Sequence, residues 1–81
     1  MDVFRISSFI AYDHTQGAFM FFEETSSSMR MVPCQYVSRV EPAEGAIRVI
    51  CETKHLKDDF EVKCKNPEDC VEKIEYLLEN F

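Results

Sequence analysis

The hydrophobic positions of this chain alternate over most of its length and take a helical spacing only at its end. Phe4, Ile6, Ile10 and Tyr12 share one parity, interrupted by Ser8, while Val3, Phe9 and Ala11 share the other. That pattern predicts a strand with apolar residues on both faces. Asp13-His14-Thr15-Gln16-Gly17 is a polar run closed by a glycine, which is turn chemistry. Ala18-Phe19-Met20-Phe21-Phe22 is continuously apolar and predicts a second strand, buried on both sides. The two strands should pair as a hairpin. Glu23 to Ser28 reads as a polar loop, and Met29 to Val32 resumes an extended pattern. Pro33 has no ladder donor and marks an edge, a bulge or a strand start. Gln35 to Glu41 extends again, Pro42 to Gly45 turns, and Ala46 to Cys51 is the clearest strand. A charged loop is expected through Asp59. Phe60, Val62 and Cys64 then alternate with Glu61, Lys63 and Lys65, giving a half-exposed strand.

The chain should finish with an amphipathic helix from Pro67 to Phe81. Asn66 suits the N-cap, Pro67 the first helical position, and Glu68 and Asp69 the positive end of the dipole. Val71, Ile74, Leu78 and Phe81 form an apolar stripe that Cys70 and Leu77 widen. Such a stripe must lie on something apolar.

The expected fold class is therefore α+β. A five-stranded antiparallel meander carries one C-terminal amphipathic helix across one face, all within a single domain, residues 1–81. The first two strands complicate this picture, because Phe19 and Phe21 oppose Met20 and Phe22. Either the sheet curls into a half-barrel that encloses both sets, or the second face is an interface with a partner or a second copy. On the interface reading Tyr12, Phe19 and Phe21 are the partner-binding residues, since aromatic anchors dominate interface energies. A homodimer is then the expected assembly.

Composition narrows the function. Eighty-one residues can bury only a thin core, although the apolar fraction of 46% is ordinary. Two glycines and three prolines leave little for a loop-rich scaffold. The net charge of −6 repels nucleic-acid phosphates and anionic lipid, so neither is an expected direct partner. No stretch approaches the ~18 apolar residues of a membrane span. The first residues lack an apolar targeting region, so a cytoplasmic location is expected. Cys34, Cys51, Cys64 and Cys70 are then expected to be free thiols.

Candidate chemistry is sparse. Cys51, His55, Cys64 and Cys70 are four potential zinc ligands within twenty residues, but no C-x2-C pair exists. Their parity with apolar neighbours fits buried thiols better. No cysteine has an electropositive setting, and His14 and His55 fall in predicted turns. No glycine-rich phosphate loop or G-x-S-x-G is present. No enzymatic activity, catalytic residue, cofactor or metal is expected.

Two charged features remain. Glu68, Glu72, Glu75 and Glu79 form one acidic stripe along the helix. It is either a solvated face or an imitation of a phosphate row. The second case would make the protein an acidic viral-type inhibitor, of the kind phages use to block a host nucleic-acid-binding protein. If Val40 opposes Ile47, Arg39 faces Arg48 and the pair needs glutamates or a partner's carboxylate to offset it. The Thr25 to Ser28 run is a plain loop that could accept phosphate.

The layout from Tyr36 onward consists of Tyr-Val-Ser-Arg-Val-Glu, a turn, Ile-Arg-Val-Ile-Cys, a polar loop, Phe-Glu-Val-Lys-Cys and Asn-Pro-Glu-Asp-Cys-Val-Glu-Lys-Ile. Residues 36–81 thereby resemble small flagellar-operon proteins in which two hairpin strands precede a helix. They are similar as well to the C-terminal part of PH-like modules, where meandering strands are capped by one helix. The resemblance implies a non-enzymatic interaction protein with no catalytic residues to carry over. Both routes lead to one expectation: a small protein-binding domain, self-associating, with nucleic-acid mimicry as the alternative.

Overall fold

The computed structural model describes residues 3–23, 28–55 and 57–80. Among them are seven antiparallel strands and one helix. They are β1 (Val3–Ser7), β2 (Ile10–Asp13), β3 (Ala18–Phe22), β4 (Met29–Pro33), β5 (Val37–Ala43), β6 (Ala46–Glu52), β7 (Lys57–Lys63) and α1 (Pro67–Glu79). The first four strands form one sheet in the order β1-β2-β3-β4, and the last three form another in the order β5-β6-β7. A single 3-10 turn, Cys34–Tyr36, carries the chain from one sheet to the next.

The expected five-stranded meander is thus corrected to two sheets of four and three strands, and neither curls into a half-barrel. Two local breaks account for the difference. The segment read as one strand reverses at Ser8 and Phe9, where the ladder slips between Arg5 and Ser7. The Phe9 amide donates to Ser7 Oγ at 3.4 Å, so a short polar side chain supplies the turn. Pro33 ends β4, and the 3-10 turn opens a new sheet behind it. Lys57 to Asp59, read as loop because of their charge, pair instead with Glu52, Cys51 and Ile50 on an edge strand. Residues 24–27 of the polar loop and Phe81 of the helical stripe lie outside the described residues.

Two turns behave as their residues demand. Asp13 Oδ1 accepts from the amides of Thr15 at 3.0 Å and Gln16 at 3.3 Å, and Gly17 closes the loop at φ 62°. Glu44 and Gly45 join β5 to β6, with Gly45 at φ 67°.

The core lies between the sheets and under the helix. Phe19, Ile10, Ile47, Ile74 and Val49 are its largest wholly enclosed side chains. An aromatic chain crosses it, from Tyr12 to Phe19 (centroids 5.0 Å), Phe21 (6.1 Å) and Phe60 of β7 (5.4 Å). α1 packs mainly on β5 and flanks β1 and β6. It buries Cys70, Val71 and Ile74 and half-buries Leu77 and Leu78.

Ile74 is wholly enclosed, whereas Leu78, expected to be equally buried, is only partly so. Ile74→Ala should therefore cost about 2–5 kcal/mol, and Leu78→Ala about 1 kcal/mol. Urea titrations of the two variants measure the difference. Equal costs would mean that the last turn of α1 covers the core as fully as the middle.

Candidate interaction surface

Strand register sorts the side chains of the four-stranded sheet into two faces. Phe4, Tyr12, Phe19 and Val32 stand opposite one another across the four strands, and Ile10, Phe21 and Arg30 form the neighbouring row. Tyr12, Phe19, Val32, Ile10 and Phe21 of these rows are buried in the core, while Phe4 on edge strand β1 is 52% exposed. Phe19 is 0% exposed, and Tyr12 and Phe21 are nearly as deeply buried. The expectation that Tyr12, Phe19 and Phe21 bind a partner is thereby corrected: all three belong to the core. In a run such as Ala18 to Phe22 both parities are apolar, so the residues alone do not say which points inward.

The outward parity forms the candidate surface. Arg5, Ala11, Met20 and Met31 make one row across the sheet, Val3, Asp13, Ala18 and Pro33 make the next, and Phe22 pairs with Met29 beyond them. Met20 and Phe22 are half-buried yet do not pack on the core. Val3, Met29 and Met31 are 46%, 44% and 39% exposed, so three of the six most exposed large apolar side chains among the described residues lie here. Ala11 and Ala18, on the same parity, are nearly fully buried although neither is a member of the central cluster.

Arg5 crosses this face. Its guanidinium carbon lies 5.7 Å from the Phe22 centroid, and Nη1 donates to the Ser8 carbonyl at 3.2 Å. Ala11 stands beside Arg5 in the row and leaves room for that reach. In these three rows the charged side chains are Arg5 and Asp13, and Asp13 is occupied by the turn that follows it. An apolar, nearly neutral face thus sits on a protein of charge −6. The sequence signal for it was the alternation of Met20 with Phe22 and of Met29 with Met31, which only the register joins into one patch.

The other expected site residues lie elsewhere. Arg39 and Arg48 do not face each other. The two-residue turn sets Ala43 opposite Ala46, so Val40 meets Val49 and Arg48 stands between Glu41 and Glu61. Arg48 donates from Nε at 3.0 Å and from Nη2 to Asp59, which raises its pKa through that hydrogen bond and charge. Arg39 lies 3.8 Å from Glu41. Both arginines therefore have internal partners. Glu68, Glu72, Glu75 and Glu79 are all exposed on α1.

The cysteines divide into two kinds. Cys64 and Cys70 form a disulfide that joins the end of β7 to the first turn of α1. That corrects the expectation of four free thiols. Their shared apolar environment was legible, but not the sharp return of the chain that brings them together. Cys34 and Cys51 are free. Burial pushes the Cys34 thiol up, partly offset by its hydrogen bond with Tyr12. Burial likewise raises Tyr12, with Cys34 adding to it. Burial and then Asp58 raise Cys51, against the pull of Arg30. None of these shifts favours a thiolate nucleophile. Among the described residues no group of three or more His, Cys, Asp or Glu converges to hold a metal ion, and no helix is long and apolar enough to cross a membrane.

No protein-family model, curated protein or solved structure matches this chain.

Two measurements check the cysteine chemistry. Thiol titration of the denatured, unreduced protein should find two free thiols, and four after reduction. Four before reduction would remove the Cys64–Cys70 link. Stability should also fall as the pH rises above 9.0, the ordinary thiol value. There the unfolded chain releases the Cys34 proton while the folded chain still holds it, so the unfolded state binds fewer protons and unfolding becomes easier. The stabilisation is complete below that pH and is lost on going up. Denaturant titrations across the alkaline range should show a shallower decline in Cys34→Ala than in the parent.

Proposed function

We propose that this chain is a non-enzymatic protein-interaction module that docks an apolar segment of another protein on the outer face of its four-stranded sheet. The observation that carries the reading is the row of Met20 and Met31, continued by Phe22 and Met29, none of which belongs to the core cluster or packs against it. Methionine adapts its shape to varied partners, which suits a docking face rather than a rigid catalytic pocket. The likeness of residues 36–81 to the C-terminal part of PH-like modules points the same way, with β5-β6-β7 followed by α1 in that stretch.

The size of the face bears on self-association. Four strands about 4.8 Å apart and five residues long at about 3.3 Å each present roughly 300 Å². A standard interface buries about 800 Å² on each partner. The face is large enough for a helix or a strand. A second copy would bind through it only weakly. The proposed partner is therefore a segment of another protein, with homodimerisation a lesser mode of the same surface.

The exposed glutamate stripe of α1 supports a second reading, mimicry of nucleic acid, and one experiment separates the two. The protein is immobilised alongside Met20→Glu/Met31→Glu and Glu72→Gln/Glu75→Gln variants, each verified as folded by circular dichroism. Partners from native lysate are then compared at low and high salt. Apolar docking predicts a partner that is retained at high salt, lost on the methionine variant and kept on the glutamine variant. Loss at high salt and on the glutamine variant alone would replace this reading with mimicry.

A further inference from the structure

The arginines of this chain are neutralised internally, with one exception. Arg30 pairs with Asp58, Arg39 with Glu41 and Arg48 with Asp59. Arg5 has no carboxylate partner among the described residues. Acidic side chains outnumber lysine and arginine by 15 to 9, so counter-ions are not scarce. The exception is a matter of place. Arg5 stands on the outer face of the four-stranded sheet, in one row with Ala11, Met20 and Met31.

The side chain is nonetheless held. Nη1 donates to the Ser8 carbonyl at 3.2 Å, and the guanidinium carbon lies 5.7 Å from the Phe22 centroid. A guanidinium carries several N–H donors in a planar fork, so one bond to a carbonyl leaves the others, and the whole charge, for a further group. Arg5 is exposed. The result is a positioned cation at one end of an apolar patch.

The spacing beyond it suits a helix. The guanidinium is 5.7 Å from the Phe22 ring, and Phe22 is one strand spacing, about 4.8 Å, from its partner Met29. A helix rises about 5.4 Å per turn. Laid across the strands, it puts successive turns over Arg5, Phe22 and Met29, with Met20 and Met31 beside them. Helices cover sheet faces in this way, whereas strands add at edges. We propose that the segment docked on this face is an amphipathic helix with an acidic residue over Arg5, one turn from the apolar residue over Phe22 and two turns from the one over Met29. The inference rests on the docking reading above and names the partner's chemistry. The carboxylate accepts from the remaining guanidinium donors, and the apolar residues around the pair exclude water and strengthen it. A net charge of −6 would by itself favour a basic segment, so a preference for an acid singles out Arg5 as the selecting group.

Three alanine-based helical peptides of roughly 18 residues are the probes. Each has leucines four and seven positions after a variable residue, which is glutamate, glutamine or lysine. NMR titration of the full chain at physiological salt should move the amides of Met20, Phe22, Met29 and Met31. The affinities should rank glutamate, glutamine, lysine, with at least about a threefold difference from first to last. Arg5→Glu, verified as folded by circular dichroism, should reverse the order. Equal affinities at these amides, or tightest binding by the lysine peptide, would overturn the inference and leave apolar docking standing. If no peptide moves these amides, the docking reading falls and the inference with it. Shifts of the same amides on diluting the protein alone would give the face to a second copy and overturn the helix assignment. The ranking on the unaltered protein decides the matter even if Arg5→Glu does not fold.

Discussion

The rest of the structure depends on the burial of one sheet face. Phe19 and its neighbours Tyr12, Ile10 and Phe21 present an apolar surface that the first four strands cannot enclose. The three-stranded sheet and α1 cover it together, and the core becomes one cluster rather than two. Each large side chain buried in this way contributes about 1.5–3 kcal/mol. A chain of 81 residues has few of them, so no part of the cover is dispensable. Because both covering layers are committed to the inner face, no other described element remains to cover the outer one. The proposed docking surface follows from that commitment.

The helix was legible because several independent signals agreed. The helical spacing, Pro67 and the acids after it placed its start, and the structure begins α1 at Pro67. The cap itself was read too generously, since the Asn66 side chain makes no capping bond. The Asp13–Gly17 turn was equally clear, and both its aspartate and its glycine act as their chemistry requires. Strand boundaries were harder, because Ser7 supports a reversal at Ser8 and Phe9 through a local side-chain bond that apolar parity does not register. The Arg48 partner was missed by two residues of register, a quantity fixed by the turn at Glu44 and Gly45. The candidate face was half legible: a second apolar face was evident, but its parity depended on what lies across the strands.

The two sheets also meet along their edges without forming a barrel. Arg30 of edge strand β4 places its guanidinium 4.2 Å from the ring centroid of Phe60 in β7 and pairs with Asp58 at 3.2 Å. β4 and β7 are outer strands of their sheets, so these contacts stand where a ladder of hydrogen bonds would have closed the structure. An exposed arrangement of this kind is worth about 1 kcal/mol. It also puts charge on two edges that would otherwise invite strand addition.

Ala11 and Ala18 have a wider consequence. They lie on the outer parity of the sheet and are only 1% and 2% exposed, although neither is a member of the central cluster. Enlarging either one would overpack a closed site, at a cost of about 1–3 kcal/mol. Drift at these two sites is therefore constrained, whereas Met29 and Met31, 44% and 39% exposed, can change at little cost to the fold. On the docking reading proposed above, binding preference can change through these exposed methionines while the residues that hold the fold, on the opposite side of the same sheet, stay as they are.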